Sequence, residues 1–186
     1  MGNLYIGLVH YPCRNRKGEI VTTALTGLDI PDIARSAKTY GVTRYYVVTP
    51  LESQRQIAAR LVDYWISSDL IKQSTHRGEA LQLVRIVATI EDSLKEILLE
   101  EGIKPLLIGT SAREWPKAQM SYNKLRELIE GDRVPVYMLF GTGWGLADSL
   151  MDQCDYLLAP IVGPGEYNHL SVRAAVAIIL DRLRGR

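Results

Sequence analysis

Val136-Tyr137-Met138-Leu139-Phe140-Gly141-Thr142-Gly143-Trp144-Gly145 joins an unbroken apolar run to a turn with glycine at every second position. A short apolar run bounded by turn residues reads as a strand buried on both faces. Downstream, Tyr156–Leu158 reads as a second strand, entering Ile161-Val162-Gly163-Pro164-Gly165-Glu166-Tyr167-Asn168. Leu170–Leu183 then carries two apolar rows at helical spacing, Leu170, Ala174, Ala177, Ile178 and Val172, Val176, Ile179, Leu183. A helix apolar on that much of its circumference needs cover on two sides. The sheet supplies one, and a second copy of the chain is the economical source of the other. Glycine turns at the ends of neighbouring strands mark a ligand site, because open α/β sheets bind ligands at strand carboxyl ends.

Upstream the same alternation repeats. Strands are expected at Leu4–His10, Val42–Val48, Leu83–Ala88 and Lys104–Ile108. The first helix should begin with Asp29 as cap and Pro31 in its first turn, its buried face Ile30, Ile33, Ala34, Ala37 and Tyr40. Thr49-Pro50-Leu51-Glu52 has the capping-box spacing and predicts a second helix with a stripe of Ile57, Leu61, Tyr64 and Trp65. Thr89 with Asp92 starts another, facing inward through Leu94, Ile97 and Leu98, and a further helix is expected near Tyr122–Ile129. Tyr11–Gly27 is long for a connection and therefore functional or disordered; Ser67–Gly78 reads as a polar loop. Strand–helix alternation of this kind implies an α/β fold with a mainly parallel sheet and helices on both faces.

The totals set bounds. A length of 186 residues fits one domain spanning 1–186, and a formal net charge of +1 gives no global argument for nucleic acid, so any basic surface must be local. Cys13 and Cys154 have no metal-ligand spacing and read as free thiols; no metal site is expected. No apolar run reaches the ~20 residues of a membrane span, and the start lacks a signal-peptide pattern, so a cytoplasmic protein with no membrane contact is expected.

Gly141-x-Gly143-x-Gly145 is not the dinucleotide fingerprint, which follows the first strand of a βαβ unit and needs a third glycine three residues after the second. No phosphate loop of the Gly-x4-Gly-Lys-Ser/Thr type is present. Three strand-end turns remain: Gly109-Thr110-Ser111, Phe140-Gly141-Thr142 and Gly163-Pro164-Gly165. Their glycines allow backbone to approach a ligand, so that main-chain groups read an adenine edge without charged side chains. His10 and His169 lie at element ends where a site could form, whereas Arg35 alone would be an ordinary solvated helical arginine. No nucleophile–base pair can be read from the spacing.

Leu139-Phe140-Gly141 through Gly145-Leu146, Ala159-Pro160-Ile161-Val162-Gly163, and Tyr167-Asn168-His169-Leu170-Ser171-Val172 before an alanine-rich helix resemble the motifs of the SPOUT superfamily of RNA methyltransferases. Asp29-Ile30-Pro31-Asp32-Ile33-Ala34-Arg35-Ser36-Ala37 with Tyr40-Gly41-Val42 resembles its first motif. Tyr5–Pro12 with Gly18–Thr23 is most similar to a small stand-alone branch, which also occurs fused to tRNA guanine-N1 methyltransferases.

The resemblance implies a C-terminal trefoil knot, S-adenosyl-L-methionine as cofactor, a homodimer, and a tRNA or rRNA substrate. It assigns Arg35 to the motif-one arginine and Phe140, Gly141, Ile161, Gly163 and Leu170 to the cofactor pocket. With their neighbours, the expected cofactor set adds Gly109, Thr110, Ser111, Leu139, Pro164, Gly165, Asn168 and His169. Arg35, Asp29 and His10 are the expected catalytic groups, with Asp32 a further proton acceptor; Arg14, Arg16, Lys17 and Arg113 are expected to contact RNA. Three departures stand out: Asp29 replaces a common Asn, Thr142-Gly143-Trp144 lacks the usual glutamate, and Ser171 replaces the Asn common in 2′-O-methylating members. They leave base and ribose both open as acceptors. The missing glutamate also keeps a non-catalytic cofactor- or RNA-binding module in play, and a flavodoxin-like small-molecule enzyme is a second alternative.

Overall fold

The computed structural model describes residues 2–67, 75–117, 119–131 and 134–186. Every residue of β1 (Leu4–Val9) is buried, as expected of a strand sandwiched between two helical layers. It pairs in parallel with β4 (Arg44–Val48) on one side and β8 (Val136–Gly141) on the other. With β5 (Val84–Val87), β6 (Leu106–Gly109), β7 (Gln119–Met120) and β9 (Tyr156–Leu158), these strands form a sheet of order β5-β4-β1-β8-β6-β9-β7. All six pairings are parallel. β2 (Cys13–Arg14) and β3 (Ile20–Val21) make a separate antiparallel hairpin within the long loop.

The period of two along the strands divides the core. Leu4, Ile6, Leu8, Tyr45, Val47, Met138 and Phe140 point to one face. There they meet α1 (Asp29–Thr39), α5 (Tyr122–Gly131) and α7 (Val172–Arg184) through Ile33, Leu125, Val176, Ile179 and Leu183. Tyr5, Val9, Tyr46, Tyr137 and Leu139 point the other way, onto α4 (Ile90–Glu101) and α6 (Asp148–Gln153). Of the two rows on the last helix, Val172, Val176, Ile179 and Leu183 pack on the core, and the other stays partly exposed, with Leu170 45 % accessible.

Five expectations change. Asp29 is the first residue of α1 and does not cap it; its carboxylate turns onto Arg173 instead. The Thr49–Glu52 box does not form: Thr49 donates to Gln54 Oε1 at 3.2 Å, and Glu52 pairs with Arg55. The Thr89–Asp92 box does form, in both directions. In α2 (Glu52–Ser67) the buried positions are Ala58 and Val62, with Leu61 and Trp65 beside them, while Ile57 and Tyr64 are each 60 % exposed. On α4 the inward face is Ile90, Ser93 and Ile97, and Leu98 is exposed. Most of the expected Ser67–Gly78 loop lies outside the described residues, but its end belongs to α3 (Thr75–Leu81). Among the described residues no helix is long and apolar enough to cross a membrane.

Gly7 shows how tightly the second face is packed. A Cβ there would lie 2.5 Å from the Tyr137 hydroxyl, which donates to Ser93 Oγ at 2.9 Å. Gly7→Ala should therefore cost about 1–3 kcal/mol of stability, as overpacking does. Urea denaturation checks this, and Tyr137→Phe, which deletes the clashing oxygen, should make the same glycine change less costly.

Candidate active site at the carboxyl edge of the sheet

Because every pairing in the seven-stranded sheet is parallel, the segments leaving β8, β6 and β9 emerge at one edge from three adjacent strands. They enclose a cavity of about 770 Å³. Its floor is apolar, built from Phe140, Ile161, Leu170, Val172 and Ile179; Thr110, Ser111, Thr142 and Asn168 supply polar groups. The Asn168 amide donates to the Ala112 carbonyl at 2.9 Å, tying the segment before α7 to the segment after β6. Thr110 is held in turn by the Leu139 carbonyl, which accepts from its hydroxyl at 2.7 Å and its amide at 3.2 Å.

The alternate glycines of the β8 turn serve a tight fold-back. A Cβ on Gly141 would meet Leu146 N at 2.5 Å and Gly145 C at 2.8 Å, whereas Gly143 and Gly145 have φ of 62° and 96°. L side chains rarely tolerate either situation. The turn is clipped to the β2–β3 hairpin, where Arg14 N donates to the Gly145 carbonyl (2.9 Å) and Trp144 N to the Arg14 carbonyl (3.2 Å).

Asp29, only 7 % exposed, contributes to the cavity wall. Arg173 of α7 lies with Nε 3.4 Å from Asp29 and Nη1 3.2 Å from Asp32, and Asp32 also takes Arg35 Nη2 at 2.5 Å. This chain of alternating charges joins the first turn of α1 to the first turn of α7. Arg173 was not signalled by the sequence, since its partners are brought to it only by the fold.

Of the expected cofactor residues, Thr110, Ser111, Phe140, Gly141, Ile161, Asn168, His169 and Leu170 reach the cavity, as do Asp29 and Arg113. Others do not. Gly109 and Leu139 sit beneath the edge; a Cβ on Gly109 would strike Leu157 and Met151, so its role is packing. Gly163, Pro164 and Gly165 are exposed beyond the lining. Arg35 is outside the lining and its side chain is 54 % exposed.

His10 is fully buried and also outside the lining. Its Nδ1 lies 3.1 Å from Thr23 Oγ1 and 3.4 Å from Thr142 Oγ1, and its buried Nε2 has no hydrogen-bond partner among the described residues. Burial pushes the imidazole down to about 4, against an opposing pull from Asp29. Arg14 and Arg113 converge on Asp148 at 2.6 and 3.6 Å, while Arg16 and Lys17 are exposed near the hairpin turn. Sequence reasoning missed Thr23, Thr26, Trp144 and Ser171 as lining residues. The unusual length of the Tyr11–Gly27 loop was the signal for the first two.

The site fits an adenosyl group. Apolar side chains form its floor, and Gly141 keeps a side chain out of the tight turn along its wall. The chain is 44% identical over 184 residues to an uncharacterized protein of Aquifex aeolicus (strain VF5), covering 99% of this chain and 89% of that one. It is 42% identical to a tRNA (guanine-N(1)-)-methyltransferase of Oleidesulfovibrio alaskensis, with 98% of this chain aligned but only 42% of that relative's length. A probable methylase family protein from Haemophilus influenzae Rd KW20 has a similar fold, with a TM-score of 0.66 at 21% identity over 98% of this chain and 65% of that one. The model of a family described as SAM-dependent RNA methyltransferase matches residues 3–185, and with nearly its whole length so matched the chain belongs to that family.

Proposed function

We propose that this chain methylates tRNA, with S-adenosylmethionine seated in the cavity at the ends of β8, β6 and β9. The observation that carries the reading is the coincidence of a family match over residues 3–185 with a cavity at that edge lined by Phe140, Ile161, Leu170 and the glycine turn after β8. The tRNA assignment draws on the relative whose name specifies it, of which this chain spans less than half. In this reading Phe140, Ile161 and Leu170 seat the adenosyl portion, and the main chain of 110–112 and 159–161 reads its edge. When bound, the cofactor supplies an electrophilic methyl group on a good leaving group. The protein's own task is then chiefly to align the acceptor and exclude water. Asp29, the carboxylate of the cavity wall, accepts a proton from the acceptor nucleotide.

Arg35 is assigned to an RNA phosphate. It lies on the helix whose first residue lines the cavity, about 9 Å further along the axis, and Asp32 holds its guanidinium in place. The reading also includes a trefoil knot formed by the segment after β9, a single domain over the whole chain, a cytoplasmic location, and a homodimer. A second copy would cover the half-exposed row Leu170, Ala174, Ala177 and Ile178.

Titration calorimetry with S-adenosylmethionine, followed by methyl transfer from labelled donor to bulk tRNA, tests the reading; no donor binding would overturn it. Arg35→Ala should lower transfer by about ten- to a hundredfold, the worth of one charge-assisted hydrogen bond, and leave donor affinity unchanged. Unaltered transfer would return Arg35 to the surface residues without chemistry.

A further inference from the structure

We propose that Trp144 is a stacking platform on which the unstacked base of the acceptor RNA rests at the mouth of the cavity; this builds on the methyltransferase reading above. Trp144 lines the cavity yet remains 56 % exposed. Its indole makes no ring–ring or cation–π contact among the described residues. A large aromatic surface is thus left open to solvent at the entrance to a ligand site. The fold also holds it firmly. Trp144 stands between Gly143 and Gly145, both in the left-handed region, and two main-chain hydrogen bonds to Arg14 fix the turn on the hairpin.

The choice of an RNA base as occupant follows from the surrounding charge. Arg113 shares the cavity wall with Trp144; its guanidinium lies over the Trp115 ring at 5.3 Å, and it and Arg14 both pair with Asp148, which leaves one positive charge in excess there. Arg16 and Lys17 are exposed on the hairpin to which the Trp144 turn is fastened. A net positive charge on the hairpin and cavity wall that adjoin an open aromatic ring matches a nucleotide, whose phosphates meet the charge and whose base meets the ring. In the reading above the donor's adenine has a different seat, against Phe140, Ile161 and Leu170 of the cavity lining. Sequence-selective RNA recognition favours unpaired bases splayed onto aromatic side chains, and a methyl acceptor has to leave its helical stack to enter a cavity. Any base offers a π face, so Trp144 contributes affinity and orientation rather than base identity.

The full-length chain is compared with Trp144→Leu, which keeps apolar bulk without a π face, and Trp144→Phe, which keeps a smaller one. S-adenosylhomocysteine affinity by calorimetry should change less than about twofold in both. Methyl transfer to bulk tRNA should fall about five- to a hundredfold in Trp144→Leu, the range for losing one stacked base, and much less in Trp144→Phe. An oligoadenylate decamer should quench the wild-type indole fluorescence, and that quench should disappear in Trp144→Phe although Trp65 and Trp115 remain. Equal quenching of wild type and Trp144→Phe would overturn the proposal, as would a Trp144→Leu variant with full transfer. A tenfold loss of S-adenosylhomocysteine affinity in Trp144→Leu would also overturn it, by assigning the ring to the donor. A wild-type chain that binds neither S-adenosylhomocysteine nor RNA would instead sink the methyltransferase reading beneath it.

Discussion

Taking the protein from pH 7 to pH 4 should remove about 3 kcal/mol of stability through His10 alone. An unfolded histidine titrates near 6.5, whereas burial holds the folded imidazole down to about 4. Between those values the unfolded chain takes up a proton that the folded chain refuses. The contribution is therefore whole above pH 6.5, shrinks as the pH falls, and is gone by about pH 4. Among the described residues no hydrogen-bond partner offsets the cost of charging the buried Nε2. Urea denaturation of wild type and His10→Asn across this range measures the effect: the difference in stability between the two should narrow on acidification. If the two curves stay parallel from pH 7 to pH 4, the buried imidazole is not the titrating group.

Gly141→Ala should abolish donor binding, a loss of at least a hundredfold, and cost about 1–3 kcal/mol of stability. The obstacle to an added methyl is backbone, Leu146 N at 2.5 Å and Gly145 C at 2.8 Å, so no flexible side chain can yield. The turn has to open, and it carries Thr142, Gly143 and Trp144 of the cavity wall with it. Gly165→Ala is the control, because nothing lies within 4 Å of a Cβ there and that glycine is outside the cavity. Thermal melts and calorimetry with S-adenosylhomocysteine separate the outcomes. Unchanged affinity in Gly141→Ala would remove the β8 turn from the binding site.

The long strands and helices were legible because their burial is written in period. β1 and β8 are apolar at nearly every position, as a sheet covered on both faces requires, and the Thr89–Asp92 box marks its helix start correctly. Shorter pieces were not: β7, α3 and α6 are too brief to display a period. The α2 stripe was displaced because Ile57 and Tyr64 fit an apolar pattern as well as the buried Ala58 and Val62 do. The Thr49–Glu52 spacing failed because Gln54 and Arg55, neighbours in the same turn, claim both side chains.

At the site, sequence placed the β6 and β8 turns at one edge and singled out Asp29, which lies in the cavity wall. It could not foresee that Arg173 would grip that carboxylate, nor that Gly163, Pro164 and Gly165 would stand outside the lining. Those outcomes depend on how α7 docks against α1, which no local spacing encodes.

The place of β8 between β1 and β6 also bears on how the molecule is made. Leu4 lies in register with Val136, and Leu106 shares that same partner. On a ribosome, β1 can find β4 early, but its other flank waits until most of the polypeptide has emerged. Pairings so distant in sequence close slowly, and an unfilled gap in the middle of a sheet leaves strand edges bare in the meantime. Slow synthesis or a truncated messenger should thus yield a sticky half-sheet, and holdase chaperones should be found on nascent chains that end before Val136.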